Sequence, residues 1–156
     1  MPRRRSPKES SIVRSILDDL RSRGRAVWFR KNHGGPFGAA GVPDIEVVFS
    51  IPLRVDASGI AFQAAENVYA AKYANESDPG GEWRATIANK IREDLASRRE
   101  IIVAFLEVKK PGEKPTALQD STMAAIRYAG AHVRVVHSKA EAIEFLETLG
   151  IPEKKQ

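Results

Sequence analysis

Cysteine is absent from the sequence, which excludes disulfides and thiolate zinc sites and suits a reducing compartment. Long apolar runs are absent too. None approaches the roughly 18 residues that cross a bilayer, so no membrane partner is expected. The first eight residues contain no acid but hold Arg3, Arg4, Arg5 and Lys8. No apolar segment follows them, so this start is not expected to act as a signal peptide. No internal repeat is visible, and no linker is long enough to divide the chain.

What remains is ordinary for one globular domain: 156 residues, 42% hydrophobic and 29% charged, are ample for a single core. The formal charge of +5 points toward anionic partners, but its distribution weakens that reading. Four of the 25 basic residues lie in the first eight positions, leaving 21 against 20 acidic residues elsewhere. The body is close to neutral. Residues 1–6 and 151–156 read as flexible tails, the first able to add sequence-independent phosphate contacts.

Ser6-Pro7-Lys8-Glu9 predicts a helix start, with Ser6 as N-cap, Pro7 at the first helical position and Glu9 closing a capping box. Ile12, Val13, Ile16, Leu17 and Leu20 continue at helical spacing as far as Gly24. Ala26–Arg30 and Asp44–Ser50 predict strands on either side of a glycine-rich loop, residues 32–43. Pro52–Phe62 suggests a small hairpin around Asp56–Gly59, followed by a helix over Ala64–Ala74. Ser77–Gly81 is a break, and a helix over Glu82–Arg98 places Trp83, Ile87, Ile91 and Leu95 on one stripe. Thr116 is the expected N-cap of a helix over Ala117–Ala129, with Leu118, Met123 and Ile126 inward. Ala131–His137 predicts a strand, and Ser138–Glu141 a second capping box opening a helix to Gly150.

Ile101–Lys109, IIVAFLEVK, organises the rest. Both alternating faces are apolar, as in a central strand covered on both sides. At its end Glu107 and Lys109 leave the same face, roughly 7 Å apart. Buried charges are costly unless paired or holding a metal. Asp44 starts a neighbouring strand, and two carboxylates on adjacent strands suit Mg²⁺, a hard cation preferring oxygen ligands. The element order predicts an α/β fold: a mixed sheet flanked by helices, with a largely helical insertion at about 51–99 between the second and third strands.

Gly-Val-Pro-Asp at 41–44, Glu-Val-Lys at 107–109 and Gln119 on the following helix together resemble the PD-(D/E)xK nuclease superfamily. The pattern is most similar to its VRR-NUC branch, the virus-type replication–repair nucleases. Glu9 on an early helix, the basic glycine-containing segment Arg30–Gly35, and the run from Lys110 to Ser138 add to the match. It covers about residues 8–50 and 100–149. The resemblance implies a restriction-endonuclease-like core in a single domain and metal-dependent hydrolysis of DNA phosphodiester bonds. It implies Asp44, Glu107, the Val108 carbonyl and Glu9 as ligands of Mg²⁺, with Mn²⁺ able to substitute. Lys109 would be catalytic and Gln119 would position the site, while Lys31, Asn32, His33 and Lys110 would contact DNA. Small stand-alone members further imply a homodimeric endonuclease acting on branched DNA such as Holliday junctions, in a bacterial or virus-infected cytoplasm.

The chain departs from that pattern in its long insertion, which separates Asp44 from Glu107 by 62 residues. Two alternatives stay open: a nickase or flap-type nuclease, and a non-catalytic DNA-binding subunit retaining the fold. Glu46 follows Asp44 on the same face and is either a supporting partner of the site or half of an ion pair. Arg84, Lys90, Arg92, Arg98 and Arg99 are interleaved with acids and read as a charged helix face. The three histidines form no metal set. Trp28 and Trp83 are expected in a core or an interface.

Overall fold

The structure is a computed structural model that describes residues 7–32, 40–53, 57–73 and 81–154; side chains at 57–58, 69–73 and 81–84 are outside the description. It separates into two compact units, Met1–Ile51 with Ile101–Gln156, and Pro52–Glu100.

The first unit is α/β. Helix α1 (Glu9–Ser22) leads through a short 3₁₀ turn (Gly24–Ala26) into β1 (Val27–Lys31) and β2 (Ile45–Pro52). These are followed, after the second unit, by β3 (Arg99–Val108), α4 (Ala117–Tyr128), β4 (His132–Val136) and α5 (Lys139–Thr148). The four strands form one mixed sheet in the order β1-β2-β3-β4. β1 and β2 are antiparallel, with Trp28 opposite Val48 and Arg30 opposite Glu46. β3 and β4 are parallel, with Glu107 opposite Val135 and Val108 opposite Val136. A parallel pair needs a crossover, and α4 supplies it.

Side-chain alternation sorts the sheet into two faces. Ile45, Val47, Phe49 and Ile51 of β2 and Ile102, Ala104, Leu106 and Val108 of β3 share one core with Ile12, Ile16 and Leu20 of α1 and Leu146 of α5. Glu107 must then point to the opposite face, where α4 lies against the end of the sheet. β3 is an inner strand, but it is buried on both sides only at its end, through Leu106, Glu107 and Val108. Ile101 is exposed, and Val103 and Phe105 are half-buried, so the apolar run overstates how fully the strand is covered.

α1 begins later than the Ser-Pro pair predicts. Its N-cap is Lys8, whose carbonyl accepts from the Ser11 and Ile12 N–H groups, and no side chain caps it. Glu9 is therefore the first helical residue and closes no capping box; Ser6 lies outside the described residues. On α4 the inward stripe is Gln119, Met123 and Ile126, not Leu118, which is exposed. Thr116 forms a reciprocal capping box with Gln119. Ser138 caps α5 by accepting from Glu141 N–H, but the Glu141 carboxylate accepts from His137 N–H instead of closing the box. The end of the chain is no flexible tail as far as Lys154. Ile151 is buried, the Pro152 carbonyl accepts from Arg23, and Lys154 pairs with Asp19 at 2.7 Å.

The second unit holds two packed helices, α2 (Ala57–Tyr73) and α3 (Gly81–Ser97). The hairpin expected over Pro52–Phe62 is replaced from Ala57 onward by α2. Alanines at 57, 61, 64 and 65 favour helix strongly enough to absorb the turn-like Ser58-Gly59. Asp56 and the break at 77–80 lie outside the described residues. On α3 the buried residue is Ala88, with Ile87, Ile91 and Leu95 half-buried; the Trp83 and Arg84 side chains are outside the description. No helix among the described residues is long and apolar enough to cross a membrane.

Candidate active site

Asp44 stands at the turn into β2, and a tight set of contacts holds it there. Its carbonyl accepts from Asn32 N–H at 2.7 Å, while the Asn32 amide donates to the Pro43 carbonyl at 2.9 Å. Gly41 has φ +84°, open to glycine and strained for other residues. A Cβ there would lie 2.8 Å from Thr122 Oγ1 and 3.0 Å from Leu118 Cγ. The Gly-Val-Pro-Asp turn is thus pressed against α4 as closely as a backbone allows. From this position Asp44 Oδ2 accepts from Val108 N–H at 2.8 Å, tying the start of β2 to the end of β3.

Glu107 sits beside that contact and is only 1% exposed. Its Oε1 meets Lys109 Nζ at 2.8 Å and accepts from Gln119 Nε2 at 2.5 Å. The orientation of the Gln119 amide follows from its other contact: Oε1 accepts from Thr116 N–H at 2.9 Å, which turns the NH₂ toward Glu107. One side chain thereby caps α4 and holds a buried carboxylate. The second oxygen, Glu107 Oε2, is buried without a hydrogen-bond partner. Unmatched buried polar atoms are uncommon in native structures and carry a free-energy cost of about 1–3 kcal/mol, more when charged.

The electrostatics agree with the geometry. Burial pushes the Glu107 carboxyl above its usual range; Lys109 opposes this, and the charges of Asp44 and Glu9 add to it. Burial alone would lower the Lys109 ammonium, but the ion pair with Glu107, with Glu9 and Asp44 behind it, raises it instead. Three carboxylates therefore act on one ammonium at the end of β3. That donor set is all oxygen and has one buried oxygen unmatched, so it fits a hard divalent cation.

The sequence-derived residues divide into those assembled here and those lying apart. Asp44, Glu107, Val108, Lys109 and Gln119 converge, and half-buried Glu9 is near enough to act on both Glu107 and Lys109. Lys31 ends β1 and is exposed, Asn32 pins the Asp44 turn, and Lys110 pairs with Glu113 at 3.0 Å. His33 lies outside the described residues. Glu46 pairs with Arg30 at 2.6 Å. Among the described residues no group of three or more His, Asp or Glu is drawn together closely enough to form a ready metal cluster.

Sequence reading named Thr116 as an N-cap and Gly41 within the motif, but not what either supports at the site. Thr116 orients Gln119, a role signalled by its place three residues before a glutamine at a helix start. Gly41 seats α4 against the Asp44 turn, which no spacing rule reveals. Comparison of the chain with protein-family models, curated proteins and solved structures finds no match.

Proposed function

We propose that this protein is a Mg²⁺-dependent DNA endonuclease of the PD-(D/E)xK type, with a restriction-endonuclease-like core. The observation that carries the reading is Glu107: a buried carboxylate with one free oxygen, set between Asp44 and Lys109. Asp44, Glu107 and the Val108 carbonyl would hold Mg²⁺, and Glu9 is the accessory carboxylate. When bound, such a cation supplies an activated water and stabilises negative charge on phosphorus-bound oxygens.

The chain's own residues supply the remainder. Lys109 carries a firmly held proton and presents an ammonium where negative charge develops on the phosphate. Gln119 fixes the orientation of Glu107, and Gly41 and Asn32 fix that of Asp44. Branched DNA is the proposed substrate and a homodimer the proposed assembly; both follow the resemblance of the motifs.

The test uses labelled duplex, flap and four-way-junction DNA with Mg²⁺, Mn²⁺ or EDTA. Cleavage is expected only with metal. Lys109→Ala is expected to slow it by about 10²–10³-fold, the typical loss of one charge-stabilising group, with DNA binding retained. Binding without cleavage under every condition would leave the non-catalytic DNA-binding reading in its place.

A further inference from the structure

The face of the sheet that carries Glu107 also carries an exposed aromatic. Val27 and Phe29 of β1 turn toward the core, so Trp28 and Arg30 lie on the opposite face with Glu46 and Val48 of β2. Trp28 is 52% exposed, which excludes the core position that its sequence allowed and leaves its ring open to a partner. The Arg30 guanidinium stands 5.9 Å from its ring centroid and is anchored by Glu46 at 2.6 Å. Because Glu46 offsets its charge, Arg30 is a poor phosphate clamp; it instead holds the indole in place and widens its flat surface. An edge strand with a paired charge on its open face is also poorly suited to pairing with another protein strand. From strand geometry, Trp28 lies roughly 14 Å from Asp44, one strand over and four residues along.

We infer that Trp28, braced by Arg30, is a stacking platform for an unpaired base of a nucleic acid whose backbone reaches the Glu107–Lys109 site. The inference rests on the nuclease reading for what lies at that site, and it narrows the substrate to DNA with a single-stranded portion next to the cut. Stacking on an aromatic ring tolerates any base, so the preference would be for unpaired structure and not for sequence.

The chain has two tryptophans, so a Trp83→Phe background leaves Trp28 as the sole reporter. In EDTA, with cleavage suppressed, a short oligothymidine is expected to quench Trp28 fluorescence, and a duplex of equal length is not. Trp28→Ala should weaken oligothymidine binding about 10-fold, with Trp28→Phe recovering most of it. No quenching, or equal affinities for all three proteins, would overturn the inference. So would sedimentation showing a dimer that Trp28→Ala dissociates, since the ring would then face a second copy. The two readings fail separately. Quenching without cleavage in any metal removes the nuclease activity and keeps the platform. Metal-dependent cleavage with unchanged flap affinity in Trp28→Ala removes the platform and keeps the nuclease.

Discussion

Asp19 and Glu107 are both buried carboxylates of the same α/β unit, each with at least one cation in reach, yet they are treated in opposite ways. Asp19 meets Arg23 Nε at 3.0 Å, Lys154 Nζ at 2.7 Å and Lys139 Nζ at 3.5 Å. Burial alone would raise its carboxyl, but these partners more than offset that and hold it below its usual range. Glu107 has one ammonium and one amide, both on the same oxygen, with two further carboxylates acting on it, and its carboxyl is raised. A buried ion whose bonding capacity is filled is part of the framework. A buried ion left partly unmatched, beside like charges, costs stability, and groups perturbed in this way cluster at functional sites.

Breaking the filled cluster should have the largest effect on stability. Asp19→Ala leaves Arg23, itself 3% exposed, buried with the Pro152 carbonyl as its remaining side-chain partner among the described residues. A loss of about 3–5 kcal/mol in denaturant unfolding is expected, with the end of the chain released from α1. A loss below 1 kcal/mol would mean the cluster is as dispensable as a surface pair.

The two carboxylates should also give opposite pH responses. Asp19, lowered in the fold, contributes stability that is present above its ordinary value of 3.8 and is lost as pH falls through its folded pKa. Glu107, raised in the fold, contributes stability that is full below its ordinary value of 4.5. In EDTA that contribution is lost as pH rises through its folded pKa. Thermal unfolding of Glu107→Gln and wild type across pH 4–8 checks this: the wild type alone should lose stability from about pH 4.5 upward in the metal-free protein. Parallel curves would contradict the comparison.

The smallest expected effect concerns Thr116, which supports Glu107 through Gln119. Thr116→Ala removes a cap worth about 1 kcal/mol. It keeps the Thr116 N–H bond to Gln119, so stability should fall slightly and metal-dependent cleavage only a few-fold. A loss as large as that of Lys109→Ala would show that the capping box itself is part of the chemistry.

The contrast between the two carboxylates was only half legible in the sequence. Glu107 stands out because a charge at the end of an apolar strand breaks a strong pattern, and Asp44 and Gln119 follow from motif order. Asp19 lies beside Asp18 on an amphipathic helix and looks like a solvated residue. Its burial depends on Arg23, one helical turn away, and on Lys139 and Lys154, which only the packing of α1 against α5 and the chain end brings to it. The sheet and its flanking helices were legible because their periodicities are clean. The start of α2 was not, because Asp56-Ala57-Ser58-Gly59 reads as a turn by local chemistry while alanine-rich sequence beyond it favours helix. Trp28 was legible only as a core or an interface residue, because an aromatic on a strand does not say which face an edge strand leaves open.

Whether the free oxygen of Glu107 takes a metal decides the proposed function most directly. Thermal unfolding of wild type and Glu107→Gln, each in EDTA and in millimolar Mg²⁺ or Mn²⁺, measures this without reference to cleavage. Ligand linkage predicts that the cation raises the wild-type Tm and leaves that of Glu107→Gln unchanged, with Glu107→Gln the more stable of the two in EDTA near neutral pH. A wild-type Tm indifferent to both cations, or an equal rise in both proteins, would contradict it.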